Sequence, residues 1–334
     1  MQKLSACALV GFGVLMLASA LAQDAVMGDW QGSWKGADGK GAPLVAQVIA
    51  LGDGAYQANL LDEFDKRIPP IALLNGREAD GKVAFAGKAA GEKLKGTEWT
   101  ATIEGGKFAG AFKGDAAGTL ELGKVVRPSP TLGAKPPEGA VVLFDGRCVS
   151  DWETRDHKPC PFKLLEDEQA MEVRGGGAIS KQKFGDCRLH LEFRTPFMPK
   201  ARGQGRGNSG VYLQGRYEVQ VLDSYGLKGE SNECGGVYGV GRPLANMCAP
   251  PLQWQTYDIT FTAPRFDKDG KKTANARLTV VHNGVKIQDN IEVPNPTTAN
   301  WGGDPSAPAG LHLQDHGNPV QYRNIWVVET KGEL

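Results

Sequence analysis

Apolar residues in this chain recur every second position, in short runs closed by glycine turns, and almost nowhere with helical spacing. "LVAQVIAL", "AYQANLL", "KVAFAG", "WTATIEG" and "GTLELGKVV" alternate over the first part, and "CRLHLEFR", "YEVQVLD", "WQTYDITFTAP" and "VQYRNIWVVE" over the second. Gly-Asp, Gly-Gly and Asp-Gly pairs separate them, and 45 glycines and 20 prolines supply the turns. A chain so patterned is expected to be all-β, built from antiparallel strands. Residues 23–127 read as a small β-barrel or β-sandwich domain. The stretch 128–140, within "RPSPTLGAKPPEGA", reads as a Pro/Gly linker. Residues 141–334 hold enough strands with long connections for a two-sheet jelly-roll sandwich.

Before the first strand, Lys3 and the apolar run Ala6–Leu21 end in Ala20-Leu21-Ala22, the small-x-small form of a signal-peptidase site. A leader over 1–22 and an exported product, periplasmic or extracellular, are expected, with no membrane span. Cys7 precedes the end of the apolar run, so it is not placed to carry a lipid. Lysine plus arginine equals aspartate plus glutamate, 38 against 38, which argues against nucleic acid or an anionic membrane as the main partner.

Six cysteines less Cys7 leave Cys148, Cys160, Cys187, Cys234 and Cys248. Export permits disulfides, and an odd count leaves one thiol free. Cys187 lies in an alternating strand and is expected to be that buried thiol. Cys234 and Cys248 bracket "CGGVYGVGRPLANMC" and are the expected disulfide, with Cys148–Cys160 as a second pairing. No Cys-x-x-Cys spacing supports zinc. Trp30, Trp34 and Trp99 of the first unit could stack on a sugar, but tryptophan in a strand more often fills a core.

In "NSGVYLQGRYEVQVLDSYG", residues 208–226, period two puts Tyr217, Val219 and Val221 on one face and Glu218 and Gln220 on the other. Asp223 is out of phase and joins Glu218 only through a bulge or at the strand end. A three-residue loop would set Tyr212 opposite Glu218, whereas a two-residue loop would set Leu213 there. Other clusters are Gln314, Asp315 and His316 in "LHLQDHG", Glu192 and Arg194 in "LEFR", and Trp254 and Gln255 in "WQTYD". Half-buried strands carrying so many polar side chains need partners, which a polyhydroxylated ligand would supply. "HNGVKI" carries an Asn-Gly hairpin signal, and "RFDKDGKK" lacks the later glutamate of a calcium loop and reads as a solvated hairpin tip.

Taken in order, "NSGVYLQGRYEVQVLDSYG", "ECGGVYGV", "NMCAPPLQWQTYDITFTAPRFD", "VHNGVKIQDNIEV" and "LHLQDHGNPVQYRNIWV" resemble the 3-keto-disaccharide hydrolase family, also described as 3-keto-glucoside lyase/hydratases, over residues 141–330. The resemblance implies a concanavalin-like jelly-roll sandwich and a carbohydrate substrate. It implies cleavage of a 3-keto-glycoside by elimination and hydration, with Glu218 or His316 as the base at C2. Asp223 or Asp315 would hold the histidine or assist the leaving group. Arg194, Tyr212, Gln220, Trp254, Gln314 and Asp315 would contact substrate. Retaining glucanases of the same shape carry Glu-x-Asp-x-(x)-Glu where this chain has Glu218, Gln220 and Asp223. Gln220 cannot supply the middle charge, which weighs against ordinary glycoside hydrolysis. A lectin-like protein without catalysis is the alternative. No motif demands a cofactor, although Glu218, Asp315 and His316 form a set that would suit a divalent metal if they converged.

Overall fold

The structure, a computed structural model, describes residues 24–330; the expected leader lies outside the described residues. Among the described residues, all regular structure apart from two single-turn 3-10 segments is strand. No helix among the described residues is long and apolar enough to cross a membrane.

Eight antiparallel strands, from Gly28–Gly36 to Gly118–Val125, follow one another around a closed barrel, and the last pairs with the first. Closure removes the free edges that an open meander would expose. Trp30 and Trp99 point inward and are fully buried. Trp30 meets Phe108 edge-on, and Trp99 stacks on Phe112 with centroids 4.5 Å apart. These tryptophans are core. Trp34 is half-buried, edge-on to Phe112.

The rest of the described residues form a two-stranded ribbon, Arg265–Phe266 with Lys272–Ala274, and two large antiparallel sheets. One has the order Trp152–Glu153, Ala178–Phe184, Ala309–Leu313, Ser209–Leu213, Tyr217–Val221. The other has eight strands, with Gln321–Glu329, Cys187–Arg194 and Gln255–Thr262 adjacent in its middle. Val211, Val219 and Val221 from the first share a core with Leu189, Leu191 and Phe193 from the second. Tyr217 packs on Phe261 across the two, at 5.5 Å between centroids. At Asn283 and Gly284 both φ values are positive (49° and 81°), as the type I′ turn of the expected hairpin requires. Asp267 caps the tip of "RFDKDGKK" by accepting from the Asp269 and Lys271 N–H groups.

The Pro/Gly stretch is no free spacer. It lies against the outer face of the eight-stranded sheet. Ser129 Oγ bonds Thr256 Oγ1 at 2.6 Å, the Gly133 N–H donates to Glu192 at 2.6 Å, and Asn324 donates to the Ala134 carbonyl at 2.9 Å. Poor in large apolar side chains, the stretch instead brings hydroxyls and backbone groups to a polar row that would otherwise be unsatisfied.

The expected disulfides are corrected: Cys148, Cys160, Cys187, Cys234 and Cys248 are all free. Cys234 and Cys248 are buried side by side as thiols in contact with each other, the first also bonded to Tyr257 Oη and the second to the Leu222 carbonyl. Asn246 closes their loop by donating to the Ser224 and Leu227 carbonyls. Cys187 is the buried thiol expected, its pKa pushed up to about 12 by burial.

Candidate active site

The site is built on the hairpin Ser209–Leu213 and Tyr217–Val221. Gln214, Gly215 and Arg216 form a three-residue loop, with φ of 53° and 60° at the first two. This loop sets Tyr212 opposite Glu218 and Gly210 opposite Gln220. On the next strand His312 stands beside Tyr212. Tyr217, Val219 and Val221 take the core face, so Glu218, Tyr212 and His312 form one row across the other face of the five-stranded sheet.

That face is covered by loops rather than by water. Residues 294–308 lie across the hairpin: the Glu218 N–H donates to Thr297 Oγ1 at 3.0 Å, and the Tyr212 hydroxyl donates to the Thr298 carbonyl at 3.1 Å. The outer edge of Tyr217–Val221 is closed by residues 235–241, the Tyr238 N–H donating to the Glu218 carbonyl at 3.3 Å. Trp301 packs against His312 with ring centroids 4.0 Å apart and the planes tilted by 30°. Burial drives the His312 pKa down to about 3, so this imidazole is neutral packing between Trp301 and Tyr212.

Between these loops lies a cavity of about 100 Å³, and both Glu218 and His316 line it. Tyr212, Gln220 and Gln314 also line it, together with Gln204, Asn208 and Tyr238. Glu218 is 3% exposed. Burial raises its pKa to about 8, against the pull of the nearby Tyr212 hydroxyl. Gln220 donates to Gln204 Oε1 at 3.1 Å, while its own carbonyl oxygen is buried with no protein partner among the described residues. Gln314 donates weakly to the Tyr212 hydroxyl at 3.3 Å. His316 is exposed at the rim.

Gly210 makes room for the carboxylate. A methyl group there would stand 2.4 Å from Glu218 Oε1 and 2.7 Å from the Tyr212 ring. Gly210→Ala is therefore expected to displace the Glu218 side chain, with a loss of about 10²-fold in kcat/KM for a misplacement near an ångström. Overpacking would cost only about 1–3 kcal/mol in stability. Steady-state kinetics beside a thermal melt checks this; an alanine variant with unchanged turnover would show that the carboxylate position is not critical.

Other residues singled out in the sequence lie elsewhere. Asp223 does not join Glu218. The strand ends at Val221 without a bulge, and Asp223 is buried against Arg206, Nε to Oδ2 at 2.6 Å. Arg194 belongs to the other sheet. It shares the face of Glu192 and His190, opposite to Leu191 and Phe193, donates to Gln321 at 2.5 Å and to Glu168 at 2.6 Å, and lies over Trp254. Trp254 is held there by Arg194 and Arg323, 4.8 and 4.1 Å from its ring. Alternation predicts that Glu192 and Arg194 share a face, but not that this face looks outward beneath the Pro/Gly stretch. Asp315 shapes its own turn, accepting from the Gly176 and Gly317 N–H groups at 3.1 and 2.8 Å. With Asp315 so occupied, Glu218, Asp315 and His316 do not form a metal set, and no three such side chains converge elsewhere among the described residues.

Sequence reasoning missed Gln204, Asn208, Tyr238 and Thr298. Asn208 opens the hairpin motif, and Tyr238 stands in the glycine-rich loop that covers the edge strand, so position beside a marked motif was the available signal. Nothing local marks Gln204 or Thr298.

Residues 139–328 match the model of the 3-keto-alpha-glucoside-1,2-lyase-like domain. Among solved structures, one from Parabacteroides distasonis ATCC 8503, described as a "putative glycosyl hydrolase", is 36% identical with a TM-score of 0.54; the alignment covers 62% of this chain and 91% of that one. A second, of the same description and organism, is 15% identical with a TM-score of 0.41, over 58% of this chain and 95% of that one. No curated protein matches the chain. The domain match and the first of these structures support a carbohydrate-active enzyme.

Proposed function

We propose a reaction from the premise that this chain belongs to the 3-keto-alpha-glucoside-1,2-lyase-like family: it cleaves 3-keto-glycosides by elimination and then hydration. We read the two-sheet unit as the concanavalin-like jelly roll that the resemblance implies, and the leader as directing the product out of the cytoplasm.

A ketone at C3 acidifies the hydrogen on C2. The Glu218 carboxylate takes that proton, and the C2–H electron pair becomes the C2–C3 double bond of an enediolate. Collapse of the enediolate re-forms the ketone, makes the C1–C2 double bond and breaks the bond from C1 to the glycosidic oxygen. The leaving oxygen takes a proton at the cavity mouth, where His316 stands. Water then adds to C1 and a proton returns to C2, which completes a net hydrolysis. The buried Gln220 carbonyl accepts from a substrate hydroxyl, and the weakly held Gln314 amide donates to the oxygen at C3.

One observation carries this reading: the cavity contains a single carboxylate, Glu218, with an imidazole. A retaining glycosidase needs two carboxyls about 5–5.5 Å apart, and an inverting one needs two about 6.5–9.5 Å apart. Asp223, the residue aligned with the second, is bound to Arg206 instead. Elimination beside a ketone needs only one positioned base.

The test is to incubate the enzyme with a disaccharide and with its 3-keto form, and to follow products by mass. Cleavage of the keto form alone is expected, with the unsaturated ketone as a transient. Equal cleavage of both sugars would overturn the reading in favour of an ordinary glycosidase. Binding of the keto form without cleavage would favour the lectin-like alternative.

A further inference from the structure

Between the barrel and the two-sheet unit lies a second and larger cavity, of about 600 Å³, with walls from both. The barrel strands Gly41–Gly52 and Ala55–Leu61 pair with Gln47 opposite Asn59 and Ile49 opposite Gln57. Ala46, Val48, Ala58 and Leu60 are fully buried in the barrel core, so alternation turns Gln47, Asn59 and Gln57 outward toward the second unit. Asn59 is fixed there, donating to the Gly226 carbonyl at 2.8 Å. Gln57 donates to Asn59 at 2.8 Å, and the Gln47 amide has no side-chain partner among the described residues. The floor of the cavity is thus a row of amides, two of them with free hydrogen-bonding capacity.

The walls are apolar and the charges cancel. Leu73 and Leu227 line the cavity at 42% and 47% exposure, with Pro69 and Pro70 beside them. Arg67 is bound to Glu230, and Arg127 to Asp65 while it covers the Phe64 ring at 4.0 Å. Lys66 and Lys228 are matched in number by Glu63 and Glu233. An anion would find no net positive field, and a purely apolar ligand would strand the amides. A ligand that is neutral, carries many hydroxyls, and has apolar C–H faces suits both floor and walls. The volume falls within the roughly 300–1,000 Å³ of small-ligand sites, which favour domain interfaces.

We infer that this groove binds a neutral, unmodified oligosaccharide, separately from the catalytic cavity, so that the barrel serves as a glycan-holding module for the enzyme. The choice of a sugar among neutral polar ligands rests on the carbohydrate reading of the second unit. The turn 230–233 stands between the two sites: Glu230 and Glu233 line the groove, while the Asn232 carbonyl accepts from Gln204 and Gln220 of the catalytic cavity. A held glycan would lie one turn from the chemistry.

Isothermal titration of the full chain with cellohexaose, maltohexaose and laminarihexaose tests this, with Glu218→Gln used to silence the catalytic cavity. Binding of at least one of these sugars is expected, unchanged in Glu218→Gln. It should be about tenfold weaker in Gln47→Ala and in Leu227→Ser, the loss expected for one amide bond or one apolar contact. Two separate groove variants guard against misfolding of either. Absence of binding to all of these sugars, equal binding by both groove variants, or binding lost in Glu218→Gln alone would overturn the inference. The keto-sugar assay reads only the catalytic cavity, so failure of one idea leaves the other standing.

Discussion

Glu218→Gln is expected to lower kcat/KM on a 3-keto-glycoside by about 10²–10⁴-fold, the usual contribution of a positioned base. The amide keeps the shape of the side chain over Gly210 but cannot accept the C2 proton. In the unaltered enzyme only the ionised carboxylate is a base. Burial holds its pKa at about 8, so kcat/KM should rise about tenfold per pH unit up to that point and then level off. Stability should move the opposite way. The folded state keeps the Glu218 proton up to about 8, whereas the unfolded chain releases it near the ordinary value of 4.5. Between those values the folded state binds more protons, so stability falls as pH rises through the window. Glu218→Gln removes that dependence, and at pH 8 it should melt no lower than the wild type while turning over far more slowly. A pH–rate profile with paired melts checks both. Loss of activity accompanied by an equal loss of folded protein would remove Glu218 from the chemistry.

How much of this was legible in the sequence depends on how local each cause is. Alternation in "YEVQV" is a property of successive residues, and it put Tyr217, Val219 and Val221 in the core and Glu218 and Gln220 opposite. Turn chemistry is nearly as local at Asn283–Gly284, whose residue types accept positive φ; at the hairpin Gln214 takes a φ of 53° that its residue type does not favour, and the sequence leaves that loop open between two and three residues. Which sheet a strand joins is not local. Arg194 ends one strand and Trp254 directly precedes another, both as polar as the hairpin Ser209–Val221, yet their sheet turns that face to the stretch 129–134 and to one another. Nor could the sequence show that "NPTTANWGG" would fold back over the hairpin, because the contacts are single hydrogen bonds between segments far apart, such as Thr297 with Glu218. Closure of the first eight strands into a barrel rests on the pairing of Gly28–Gly36 with Gly118–Val125, which alternation permits but does not require.

Asp223 marks the sharpest divergence between a motif and its setting, and its replacement by alanine should act on stability rather than chemistry. Its carboxylate accepts from Arg206 Nε at 2.6 Å and from the Tyr225 N–H at 3.3 Å, and both charged side chains are almost wholly buried. Arg206 also reaches the Ala50 carbonyl of the barrel at 3.5 Å, and Tyr225 donates to Asp29 there at 2.6 Å. The pair thus anchors the end of the hairpin Ser209–Val221 where it meets the first unit. Removing the anion leaves a buried guanidinium without its counter-charge, which typically costs about 3–5 kcal/mol, or a drop on the order of 10 °C in Tm for a chain of this size. Replacing both residues with apolar ones, as in Arg206→Met with Asp223→Leu, removes the stranded charge and should recover much of that loss. Kcat per folded molecule should stay near wild type in the single variant, measured below its lowered Tm. An Asp223→Ala protein that melts normally yet fails to turn over would instead return Asp223 to the reaction beside Glu218.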